Sequence, residues 1–87
     1  MVTVEEKIIE AGYEDVVVFA NDEYSSAFLG VAEGARGVRA VYDYEAMVEW
    51  LMQHDGMSET DAIEWIEYNT LRALPYTAGA PLVLYRL

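Results

Sequence analysis

Residues 43–67, DYEAMVEWLMQHDGMSETDAIEWIE, decide what kind of fold this chain can make. They read as two helices joined by a tight connection at Gly56, Met57 and Ser58. Asp43 stands where the first helix needs a cap, and Glu45 falls in its first turn, where a carboxylate suits the helix dipole. Tyr44, Met47, Val48 and Leu51 recur at helical spacing as an inward stripe, with Met52 at its edge. Glu45, Glu49 and Gln53 point the other way, and Trp50 lies on the flank. Gly56 supplies the left-handed stop, which lets Met57 cover Met52. Ser58 caps the next helix, with Asp61 at the capping-box position. Its inward face is predicted at Ala62, Ile66, Asn69 and Ala73, bordered by Ile63 and Trp65. Arg72 suits the last turn, and Pro75 forces an exit.

Upstream, Thr3 and Glu6 form a capping box for a short helix with Val4, Ile8 and Ala11 on one stripe. Gly12 ends it, and Tyr13 can fold back on Ile8. Residues 16–20, VVVFA, are β-branched and do not alternate, which predicts a strand buried on both faces. Residues 22–35 read as helix or strand. Tyr24, Ala27, Phe28 and Val31 have helical spacing, but Gly30 and the Ser25, Ser26 pair weaken a helix, which favours a strand near residues 27–32. A loop at 34–37 leads to a strand over 38–42, with Val38, Ala40 and Tyr42 on one face. After a turn at 76–79, residues 82–87 form a closing strand, in which Val83, Tyr85 and Leu87 alternate with Leu84 and Arg86.

These elements predict one α+β domain over residues 1–87. It is a small, mostly antiparallel sheet with the helical hairpin and the short N-terminal helix packed on it. Strand order is left open.

Composition narrows function. Sixteen Asp and Glu against five Lys and Arg give a formal charge of −11 over 87 residues. That field repels phosphate and anionic lipid and attracts a basic protein surface, so neither direct nucleic-acid binding nor membrane binding is expected. The 54% hydrophobic content argues against disorder despite the charge. No cysteine is present, which excludes disulfides and thiolate metal sites. The start lacks the basic and apolar regions of a secretory signal, and the apolar run at 16–20 is too short to cross a bilayer, so a cytoplasmic location is expected.

No catalytic pattern emerges. The one histidine, His54, is followed directly by Asp55 rather than facing a nucleophile, and it suits a helix's last turn. His54, Ser58 and Asp61 are the only hydrolase-like grouping, gathered by the turn they flank. Paired carboxylates such as Glu45 with Glu49, or Glu64 with Glu67, share one solvated environment, so nothing splits their pKa values for acid–base work. No calcium loop, phosphate-cradling loop or dinucleotide fingerprint is present. The chain is read as a non-enzyme that needs no cofactor and no metal.

Residues 40–44, AVYDY, followed by Met47, Val48, Glu49 and Leu51, resemble a pattern in a family of small phage and prophage proteins. So do residues 66–70, IEYNT, with 72–76, RALPY. The likeness spans about residues 27–86. It implies a mobile-element origin, where small acidic proteins often inhibit host defence, and it carries no catalytic or ligand-binding residue over to this chain.

Residues 43–67 hold eight acids and no Lys or Arg. Like charges one turn apart, such as Glu45 and Glu49, cost a few tenths of a kcal/mol. The plain explanation is a solvated, self-repelling surface that aids solubility. The sharper one is a nucleic-acid mimic, whose carboxylates and exposed aromatics imitate phosphates and bases toward a basic groove. Glu45, Glu49, Trp50, Glu64, Glu67, Tyr68 and Leu71 are the candidate partner-binding residues. Leu71 is expected on the outer side of the second helix as an apolar anchor, unless the closing strand or the loop after Pro75 covers it. Trp50 and Trp65 border the buried stripes, positions where large aromatics mostly seal a core. The expected partner is a basic, nucleic-acid-handling host protein, with a CRISPR effector as the concrete example of an anti-CRISPR target. The alternative is a self-associating structural or regulatory module, a homodimer through the closing strand or the helix hairpin, whose acidic face merely solvates it.

Overall fold

The computed structural model describes residues 2–87. Helix α1 (Val4–Glu10) begins where expected: the Thr3 hydroxyl accepts the Glu6 N–H at 3.1 Å, and Val4 and Ile8 face inward. A second cap comes from far along the chain, because the Val4 N–H donates to Asp22 Oδ1 at 2.9 Å. Gly12, at φ 94°, closes the helix, and the Tyr13 N–H returns to the Ile8 carbonyl. Ala11 lies outside the buried stripe and is exposed.

Residues 16–19 depart from the expected strand. They are extended and half-buried but pair with no strand. Left-handed residues turn the chain at both ends, Asp15 before and Asn21 after, each at φ 59°. Their apolar side chains are satisfied by packing alone. Phe19 sets its ring edge-on against Tyr24 and Tyr42, at 5.1 and 4.7 Å between centroids.

The sheet is built from β1 (Phe28–Gly34), β2 (Gly37–Asp43) and β3 (Leu82–Leu84), in that order. The long pair, β1 and β2, is an antiparallel hairpin, while the short β3 lies parallel to β2. The α+β class therefore holds, and so does the hairpin predicted around the loop at 34–37. The closing strand is three residues rather than six, because Tyr85 and Arg86 leave the ladder for side-chain contacts with α2. Tyr85 stacks on Tyr44 at 4.8 Å, and Arg86 pairs with Asp43 and Glu45.

Helix α2 (Tyr44–His54) follows β2 directly, turning Met47, Val48 and Leu51 inward. Asp43 occupies its N-cap position without a side-chain capping bond, since its carboxylate is held by Arg86 instead. Gly56, at φ 68°, and the Ser58 cap, whose Oγ accepts the Asp61 N–H at 3.1 Å, make the interhelix turn as read from the sequence.

Helix α3 (Glu59–Trp65) passes into a π turn over Ile66–Thr70, then a tighter 3₁₀ turn over Leu71–Tyr76 that contains Pro75. A π turn holds one residue more than an α turn, so every later side chain is displaced around the axis. The inward face consequently runs Ala62, Ile66, Thr70 rather than on to Asn69 and Ala73, which are exposed. The helices cover one face of the sheet, with the core formed by Tyr24, Ala40, Tyr42, Met47, Leu51 and Ile66 among others.

Candidate protein-binding surface

Acidic side chains are carried along both sides of α3. Between α2 and α3 runs an open groove of about 310 Å³, floored by Val48, Met52 and Ile63 and rimmed by Glu45, Glu49 and Glu59. Around the far side of α3 a second, shallower groove of about 340 Å³ gathers Met57, Asp61, Glu64, Trp65 and Tyr68. Helical spacing explains the division: Glu59 and Ile63 are one turn apart on one side, while Asp61, Glu64, Trp65 and Tyr68 follow the other.

The carboxylates are mostly free. Glu49, Glu59, Asp61, Glu64 and Glu67 are exposed and form no ion pair among the described residues. Glu45 is the exception, because Arg86 lies 2.9 Å from its Oε2 while also gripping the buried Asp43. Burial raises the Tyr44 phenol above its ordinary range, and the negative charge of Glu67 adds to that, with Tyr85 contributing further.

The candidate residues thus separate into three places rather than one continuous sheet of charge. Glu45 and Glu49 line the interhelix groove, and Glu64 and Tyr68 line the outer one. Glu67 lies close enough to act on Tyr44. Trp50 is turned away, half-buried against Tyr24 and stacked on His54 at 4.3 Å. Leu71, expected as an outer anchor, packs half-buried against the core, since the π turn rotates it inward. Exposed apolar surface among the acids comes instead from Trp65, 42% exposed, and Tyr68, 60% exposed. Arg72 lies over the Tyr68 ring at 5.1 Å, so one cation borders the outer groove.

A third groove, about 280 Å³, was not foreseen. It lies between the extended residues 17–20 and the irregular end of α3, and is lined by Phe19, Glu23, Trp65, Thr70 and Leu74 among others. Burial pushes the Glu23 carboxyl up, and Asp55 pushes it further, while His54 opposes both. The sequence signal for it was the Asn21, Asp22 pair, residue types that tolerate the left-handed backbone seen here.

The hydrolase-like grouping is otherwise engaged. His54 Nδ1 lies 2.7 Å from Asp55 Oδ1 in the open, and Ser58 Oγ caps α3 through the Asp61 N–H. Among the described residues no cluster of three or more His, Cys, Asp or Glu is arranged to hold a metal ion, and no helix is long and apolar enough to cross a membrane. Comparison with protein-family models, curated proteins and solved structures found no match to this chain.

Proposed function

We propose that this chain is a non-enzymatic, acidic protein of phage or prophage type that binds a basic surface on a host nucleic-acid-handling protein. It acts in the cytoplasm as a nucleic-acid mimic, and an anti-CRISPR inhibitor is the most concrete form. The observation that carries the reading is α3, whose Glu59, Asp61, Glu64 and Glu67 are exposed and unpaired beside two exposed aromatics, Trp65 and Tyr68. A field of this sign speeds encounter with a cationic groove, and desolvated aromatics then supply apolar contact. Trp50 and Leu71 support the α2 and α3 packing rather than the contact itself.

Affinity capture from host lysate tests this at low and at high salt. The reading predicts a basic partner that is retained at low salt, released at high salt, and displaced by added double-stranded DNA. The combined substitution Glu49→Lys and Glu64→Lys is expected to abolish capture while the protein stays folded. A partner held equally at both salts, or none at all, would sink it.

A further inference from the structure

The sheet is covered by helices on one face, and the other face carries a pattern that matches itself. On β2, Ala40 and Tyr42 turn into the core, so Arg39, Val41 and Asp43 turn out. Leu82 and Leu84 of β3 lie beside Val41 and Asp43 in the parallel register, and both are exposed, at 41% and 46%. On β1 the register breaks at a bulge, where Leu29 and Gly30 together oppose Val41, and Leu29 is 57% exposed. An apolar row, Leu29, Val41 and Leu82, therefore crosses all three strands. One step along β2 on one side of the row stands Arg39, beside Ala32. One step on the other side stands Asp43, beside Leu84.

We infer that this face docks a second copy of the chain, sheet against sheet, about a twofold axis lying along the Leu29, Val41, Leu82 row. Such an axis reverses the strands. It lays each apolar row on its own counterpart and sets Arg39 of each copy over the Asp43 end of the other, which is the self-complementarity a twofold interface requires. Arg39 is half-buried and has no ion-pair partner among the described residues.

Charge selects this occupant over a cationic one. Arg36, Arg39 and Arg86, three of the chain's five cations, lie at this face or its ends. They stand against Glu33, Asp43 and Glu45. The face is therefore locally neutral in a molecule of net charge −11, the one broad region where two copies meet without repulsion. A dimer built this way has four layers, with its helices, and the acids of both α3 segments, turned outward on opposite sides. This docking does not depend on the acidic surface having a basic partner.

Sedimentation velocity from low to high micromolar concentration tests it, with circular dichroism as the check on folding. The expected result is a weight-average mass rising to twice that of the chain. Leu82→Glu combined with Leu84→Glu is expected to hold the protein monomeric throughout, Arg39→Glu to raise the dimer dissociation constant at least tenfold, and Glu64→Lys to leave it unchanged. If the leucine variant fails to fold, Arg39→Glu decides alone. A wild-type chain that stays monomeric, or a dimer insensitive to Arg39→Glu, overturns the assignment.

Discussion

Tyr24 and Thr70 lie 46 positions apart in sequence and meet through a buried hydrogen bond of 2.8 Å between their hydroxyls. Tyr24 is fully buried and holds φ 60°, a left-handed backbone that a bulky residue adopts only when its surroundings enforce it. The bond joins the segment before the sheet to the π turn after α3. Thr70→Val leaves the phenol without a partner and is expected to cost about 1–2 kcal/mol in urea unfolding. Thr70→Val with Tyr24→Phe together should cost less than the two single changes added, because neither then orphans the other.

Tyr42 makes the opposite case. Its hydroxyl is buried with no partner in hydrogen-bonding geometry, and burial pushes the phenol up to about 12, the Phe19 backbone opposing and Asp22 adding to the rise. Unfolded tyrosine ionises near pH 10, so the stability this group contributes is complete below that pH and is lost as pH climbs from 10 toward 12. Alkaline titration followed by circular dichroism checks it. Tyr42→Phe is expected to be neutral or stabilising at pH 7, by up to about 1 kcal/mol, and to blunt the alkaline loss.

Glu23 carries a cost at neutral pH. Its raised carboxyl holds a proton more tightly when folded than when unfolded, so its contribution to stability declines as pH rises from 4.5 through the folded value. Glu23→Gln should raise the melting temperature at pH 7 and leave it unchanged well below pH 4.5. The gain stays under about 1 kcal/mol, since much of the carboxylate is solvated.

Arg86→Ala removes the partner of a carboxylate that is only 6% exposed, Asp43, and frees Glu45 as well. The expected loss is about 1–3 kcal/mol in urea unfolding, from leaving Asp43 uncompensated. If the acidic surface binds a basic partner, the same variant should capture it no more weakly once folded, because it adds to the negative field.

The α+β class, the hairpin, α2 and both helix starts were legible because each is written in local chemistry: Thr3 and Ser58 as caps, Gly12 and Gly56 as stops, and stripes at helical spacing. Residues 16–19 were misread because apolar β-branched composition states a need for burial, not for a ladder, and aromatic packing with Tyr24 and Tyr42 met that need. At the candidate surface, the exposure of Glu49, Glu64, Glu67 and Tyr68 followed from spacing alone. The placement of Leu71 did not, because it depends on one extra residue in the helical ladder. Nor did the Arg86 clamp on Glu45, a contact between distant segments that no local pattern encodes.

The π turn at Ile66–Thr70 makes the chain's length, rather than any single side chain, the setting that aims everything from Leu71 to Tyr76. Removing one residue from 67–69 would restore an ordinary helical ladder and swing that segment by about 100° around the axis. Thr70 would leave Tyr24, Leu71 would turn toward water, and Arg72 would lift from Tyr68. Single-residue length change at this point is thus a more drastic edit than most substitutions, and it marks where a shortened variant of this fold would present a different outer groove.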